Sequence, residues 1–168
     1  MQTNQVPHFD QSVNTTGCCP KFNPEGWNAQ ELHFENKPFL RANTRSVLHV
    51  PVNMGRVFTR VQAGLVDADA LDDDNILVLS RDQSAWQAEH LFATDTPIAG
   101  EEMVTLSGDF ITKVFEGPYR DARTWYDEMQ EIVKAHGSDP ADVYFFYTTC
   151  PKCAKAYGQN YVIGVAEF

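Results

Sequence analysis

The sequence predicts a mixed α+β domain in which a strand, a helix and two further strands occur twice in succession. Three observations carry this reading. Stretches 39–50 and 103–115 are rich in strand formers and alternate, and each is followed by an amphipathic helical pattern, over 51–67 and 118–136. Each helix is followed by two short apolar runs, at 75–79 and 88–93 and again at 143–148 and 161–168. Between the repeats, Pro97 to Gly100 marks a break. Such an order makes a mostly antiparallel sheet with both helices on one face. The halves, 38–100 and 101–168, are then related by a pseudo-twofold axis.

Residues 1–37 read as an irregular extension. Pro7, Pro20 and Pro24 interrupt it, and Trp27, Leu32 and Phe34 are its expected anchors on the body. In the first half, Pro51 suits a first helical turn, and Val57, Phe58, Val61 and Leu65 recur at helical spacing. The acidic stretch Asp67 to Asp74 is expected to end that helix. In the second half, Ser107-Gly108 is the expected site of a β-bulge. The helix after it places Ala122, Trp125, Tyr126, Met129, Ile132 and Val133 on one face, and Gly137 supplies a left-handed end.

Composition narrows the functions. The 168 residues suit one domain, with 43% hydrophobic and 21% charged residues, an ordinary globular balance. A net charge of −10 repels a phosphate backbone, and the 13 Lys and Arg are scattered, so nucleic-acid binding is not expected. No apolar run is long enough to span a bilayer, and the first residues lack a charged and apolar leader pattern, so a cytoplasmic protein without a membrane partner is expected. There the four cysteines would be reduced. No phosphate loop, Gly-x-Ser-x-Gly elbow or His-Glu-x-x-His helix occurs.

The segment from Val104 to Tyr119, ending Phe115-Glu116-Gly117-Pro118-Tyr119, resembles the second half of GyrI-like small-molecule-binding domains. These domains also serve as effector-binding modules of transcription activators. Gly117, Pro118 and Tyr119 match their His-x-Gly-Pro-Tyr hallmark, whereas Phe115 stands where histidine is usual. The chain also resembles bacterial proteins labelled only as hydrolases, which share Gly17-Cys18-Cys19-Pro20 and the segment from Tyr147 to Lys155. The resemblance implies a groove between the halves, lined by aromatic residues around a carboxylate. Candidate carboxylates are Glu89, Glu116 and Glu167. A Glu89 facing the groove would have its pKa raised by desolvation and serve as general base, with Tyr119 as an orienting donor; otherwise Tyr119 caps the core. His49, at the end of the first strand, mirrors Tyr119. With Trp86, Phe115, Glu116, Tyr147 and Tyr161 it completes the expected ligand-lining set.

The cysteines are a separate signal. Cys150-Pro-Lys-Cys153 has the spacing of a zinc knuckle, and Cys18 and Cys19 can supply the other two thiolates of a site that staples the extension to the closing hairpin. Against this, adjacent cysteines usually diverge, and Ala154 stands where knuckles prefer glycine. A redox dithiol, a nucleophilic Cys150 near His49 or His90, and plain buried thiols are the alternatives. The expected function is to bind a small hydrophobic or electrophilic molecule and hydrolyse it. The alternatives are a non-catalytic sensor or sequestering module and a zinc-stapled interaction protein.

Overall fold

The computed structural model describes residues 2–70, 76–139 and 141–168. Residues 71–74, the last part of the acidic stretch expected to end the first helix, and Asn75, expected to open a strand, lie outside them. The elements are β1 (Glu31–Val47), β2 (Val50–Pro51), α1 (Met54–Asp67), β3 (Val78–Ser84), β4 (Gln87–Ala93), β5 (Met103–Glu116), α2 (Ala122–Ala135), β6 (Val143–Tyr147), α3 (Pro151–Tyr157) and β7 (Tyr161–Glu167). A single 3₁₀ turn, Tyr119–Asp121, leads into α2.

The strands form one antiparallel sheet in the order β2-β1-β4-β3-β6-β7-β5, and β1 also pairs with β5, which closes the sheet on itself. The expected duplication is present. β1-α1-β3-β4 and β5-α2-β6-β7 are equivalent units, and in each the last strand inserts between the other two. The halves join along β1–β5, from Glu31↔Ile111 to Leu40↔Met103, and at β3–β6 through the pair Ser80↔Phe145.

Strand alternation sorts side chains into an inside and an outside. Inside, Phe34, Phe39, Leu79, Leu91, Phe110, Phe146, Ile163 and Val165 form the central core. Outside, α1 lays Val61 and Leu65 on Leu40, Ala42 and Phe92, while α2 lays Trp125, Met129 and Val133 on Ile111, Phe115, Phe145 and Val162. The arm before β1 sends Phe9, Phe22 and Trp27 into the central core. Trp27 is fully buried, its indole N–H donates to the His8 carbonyl at 3.2 Å, and its carbonyl accepts from the Thr112 hydroxyl. Polar arm residues thus enter no core; three aromatic rings hold the segment down.

Several expectations are corrected. The extension ends before residue 37, because Glu31–Lys37 already belong to β1. Leu32 and Phe34 alternate with exposed Glu31 and Glu35, a two-residue period that Pro38 obscured. The bulge lies opposite the expected position: Phe34 pairs Gly108 and Lys37 pairs Leu106, so the extra residue is in β1 at Glu35-Asn36, and Asn36 N–H donates to Ser107 Oγ at 2.8 Å. Proline is tolerated beside such a bulge. Pro51 is not helical; it pairs Ser46 in β2, and α1 starts at Met54. Finally, Cys150 to Cys153 is no loop. Cys150 caps α3 and Pro151 occupies its first turn, where the missing N–H is harmless.

Two outcomes are expected from this packing. Gly164 on β7 faces α2, and a Cβ there would stand 2.7 Å from Met129 Sδ and 2.9 Å from the Phe115 ring. Gly164→Ala is expected to lower stability by about 1–3 kcal/mol in urea unfolding, as overpacking does. His90, on the outer face of β4, is buried with Thr44 Oγ1 at 2.9 Å from Nε2 and Ser80 Oγ at 2.7 Å from Nδ1, and Phe58 stands edge-on to its ring. Burial lowers its pKa from 6.5 to about 4. Below pH 6.5 the unfolded chain therefore takes up a proton that the folded chain refuses until about pH 4. Stability should fall across that window by roughly 2–4 kcal/mol more in the native protein than in His90→Gln, measured as denaturant midpoints at successive pH values.

Candidate functional site

The outer face of the β3–β6 junction, between the two helices, is the candidate groove. The buried pair Ser80 and Phe145 would form its floor. On the first-half side, α1 contributes Phe58, whose ring meets His90 and Phe92 at 5.0 Å each. On the other, Trp125 of α2 stacks on Phe115 at 5.4 Å and stands 6.4 Å from Phe145. The pseudo-twofold axis gives the groove two equivalent ends. Asp82 and Tyr147 each lie two residues beyond the Ser80–Phe145 pair, and His49 and Tyr119 each precede a helix.

The two ends carry different chemistry. At one, His49 Nδ1 is 2.7 Å from Asp82 Oδ2. At the other, the rings of Tyr119 and Tyr147 are 5.7 Å apart, and the Tyr119 hydroxyl donates to the Thr149 carbonyl at 2.5 Å. The Gly-Pro-Tyr turn builds that end. Gly117 takes φ 151°, with the Trp125 ring 3.4 Å from where a Cβ would be, and Pro118 sets the chain for the 3₁₀ turn that carries Tyr119. Burial pushes both tyrosines up to about 12, with the Asp82 charge adding to the rise at Tyr147. Both hydroxyls are therefore donors at neutral pH.

Glu89 is not in the groove. It shares the inner face of β4 with Leu91, whereas Ala88, His90 and Phe92 face out. Only 4% exposed, it accepts from Arg81 Nε at 2.8 Å, and Arg41 Nε approaches Oε2 to 2.6 Å without an aligned hydrogen bond. Arg81 also pairs with Asp142 and lies over the Tyr144 ring, and Arg41 reaches Glu102 at 3.2 Å. A carboxylate held between two guanidinium groups inside the barrel is a structural ion pair whose oxygens are already engaged, which is a poor arrangement for taking a proton from water.

The remaining expected residues divide. Phe115 is buried in the wall under α2. Trp86, 60% exposed, projects from the β3–β4 turn beside the His49 end, its carbonyl accepting from Ser46 N–H at 2.8 Å. Glu116 ends β5 and, with Tyr119, Pro151 and Asn160, lines a shallow cleft of about 460 Å³ beside α3. Tyr161 turns inward against Phe22, and Glu167 is exposed at the end of β7. A wider depression of about 740 Å³ lies along the arm, between Gln5, His8, Asn23 and Leu32. Asp82, Phe58 and Ser80 were not among the expected site residues; Phe58 stood out only on the helix face. Only the position of Asp82 on the same alternating face as Ser80 could have pointed to it.

The four cysteines do converge. Their sulfur atoms all lie within 4.8 Å of one another, among the described residues. Cys18 and Cys19 do not diverge: their Sγ atoms are 3.7 Å apart. Cys150 and Cys153 share one face of the first turn of α3. The arm is fixed beside them, since Tyr157 Oη donates to the Cys19 carbonyl at 2.7 Å and Cys153 Sγ bonds Thr16 Oγ1 at 3.3 Å. The Thr16 hydroxyl pulls the Cys153 thiol down to about 6, while burial pushes Cys19 up. All four are free thiols.

Among the described residues, no helix is long and apolar enough to cross a membrane. Comparison with known proteins adds a family. No curated protein matches the chain. A solved structure of SAV2435 bound to tetraphenylphosphonium is similar at 12% identity and a TM-score of 0.47, covering 83% of this chain and 92% of that one. A family model described as "Bacterial hydrolase" matches residues 9–168, from the first core aromatic of the arm to the end of the chain. This chain belongs to that bacterial hydrolase family.

Proposed function

We propose that the chain binds a small apolar organic molecule in the groove over the β3–β6 junction, in a GyrI-like arrangement, and hydrolyses it. The observation that carries this reading is the groove's composition: an aromatic floor and walls, Phe58, Phe145 and Trp125, between two polar ends, His49–Asp82 and Tyr119–Tyr147. Such sites gain affinity from apolar contact and orientation from a few polar groups. Tyr119 and Tyr147 act as orienting donors, and Trp86 borders the opposite end. Membership of a family described as hydrolases supports a chemical step rather than sequestration alone. The charge of −10 speaks against a nucleic-acid partner.

The reading is tested by titrating the protein with an apolar fluorescent probe and a series of aryl esters. Tyr147→Ala is expected to weaken probe binding about tenfold with the fold retained by circular dichroism, the loss of one well-placed ring. Unchanged affinity would contradict the groove. Binding without turnover of any ester would make the protein a sequestering module.

The cysteine geometry favours a second element of function. Zinc bound to thiolates at about 2.3 Å in a tetrahedron needs sulfur–sulfur edges of about 3.8 Å. The Cys18–Cys19 edge is 3.7 Å, and the whole set spans at most 4.8 Å. A closed tetrathiolate site of this kind is structural, and here it would fasten residues 16–19 to the start of α3. It also suits a reducing cytoplasm, where unpaired thiols persist. Metal analysis of protein purified without chelator is expected to give one zinc per chain, falling sharply in Cys150→Ser. A content near zero in the native protein would exclude the site.

A further inference from the structure

The first half of the candidate groove ends in a two-residue hairpin, β1 to β2. β1 turns back into β2 through Leu48 and His49, which take φ 49° and 68°, two successive non-glycine residues in the left-handed region. That backbone is unfavourable for residues with side chains, and such strain gathers where a side chain must be held in one place. His49 N–H is fixed on the Ala85 carbonyl at 2.9 Å. The result is an imidazole whose Nδ1 meets Asp82 at 2.7 Å while the side chain stays 59% exposed.

Around it stand Val47, Leu48, Val50, Val52 and Trp86, each between 49% and 69% exposed. They are five of the nine large apolar residues exposed among the described ones, gathered on two neighbouring turns. Apolar surface concentrated in this way marks a contact site rather than incidental exposure. A second pair, His33 Nδ1 and Asp109 Oδ1, has the same 2.7 Å geometry, but it joins two directly paired positions of β1 and β5, neither itself left-handed, and no exposed apolar collar is among its ladder neighbours.

We infer that His49 is the catalytic base of an esterase activity, oriented by Asp82, and that its substrate is a neutral ester with an apolar acyl chain lying on this collar. The inference rests on the groove reading above and names its chemistry and substrate class. Asp82, accepting from Nδ1–H, fixes the tautomer that leaves the Nε2 lone pair facing solvent. Nε2 takes a proton from water as the water oxygen bonds the ester carbonyl carbon. The tetrahedral intermediate then breaks its bond to the alkoxy oxygen, which leaves as the alcohol with the proton returned by the imidazolium. One water and one ester give one acid and one alcohol, and no other reactant is required.

p-Nitrophenyl acetate, butyrate and octanoate serve as probes. Native protein is expected to favour the longer chains. His49→Ala should lower kcat/KM about a hundredfold, the usual worth of a general base, and recover part of it with added imidazole. Asp82→Asn should lower kcat more than it raises KM. His33→Ala, the matched control, should match the native enzyme. Turnover unchanged in His49→Ala, or lost equally in His33→Ala, would overturn the inference while leaving the groove reading to the Tyr147→Ala binding test. A native protein inert to all three esters would overturn the esterase assignment, while binding lost in Tyr147→Ala would still uphold the groove itself.

Discussion

β1 hydrogen-bonds to β5 through Glu31–Leu40 and to β4 through Phe39–Arg45, and this double pairing closes the sheet. A closed sheet has no central edge to protect and must place every second residue inside. Both halves therefore contribute to one internal core, and the helices are left to cover the outside separately, α1 over β1 and β4, α2 over β5, β6 and β7. The strip between their two clusters is the junction of β3 and β6, where Ser80 and Phe145 pair. The candidate groove follows from closure: each helix is tied to its own half, and the seam that joins the halves lies between them.

The inside–outside division also sets the chemistry of each charged or polar group. Glu89 and His90 are neighbours in sequence, yet one is locked between Arg41 and Arg81 in the barrel and the other is held neutral beneath α1. Neither has a free valence for a substrate. The groups with exposed side chains, His49, Asp82 and Tyr147, all lie toward the two ends of the seam. On the opposite side of Tyr119, the Thr149 carbonyl that accepts its proton directly precedes Cys150, so the cysteine cluster and the tyrosine end of the groove share one stretch of backbone.

Much of this was legible in the sequence. The repeated β-α-β-β order, the face of α2 and the Gly-Pro-Tyr turn follow from period and turn chemistry, whereas the two cysteine pairs stood out only as candidate ligands and their convergence is a finding of the structure. The beginning of β1 was not legible, because a bulge at Glu35-Asn36 and Pro38 interrupt its alternation. The short helix at Cys150 was hidden for a similar reason: seven residues are too few to show a period. Glu89 was misplaced because β4 is buried on both faces, so burial alone could not say which residues look inward. The His49–Asp82 contact joins residues 33 apart through a two-residue strand and a strained turn, neither of which leaves a pattern in sequence.

The central claim is that the seam between the halves, and not the barrel interior or the arm, receives the organic guest. A crystal structure of the protein with octanoate tests it most directly. The account places the carboxylate at the His49–Asp82 end of the seam, with the alkyl chain against Leu48, Val50 and Trp86. Octanoate seated beneath the arm among Phe9, Phe22 and Trp27, or in the depression beside Gln5 and His8, would contradict it.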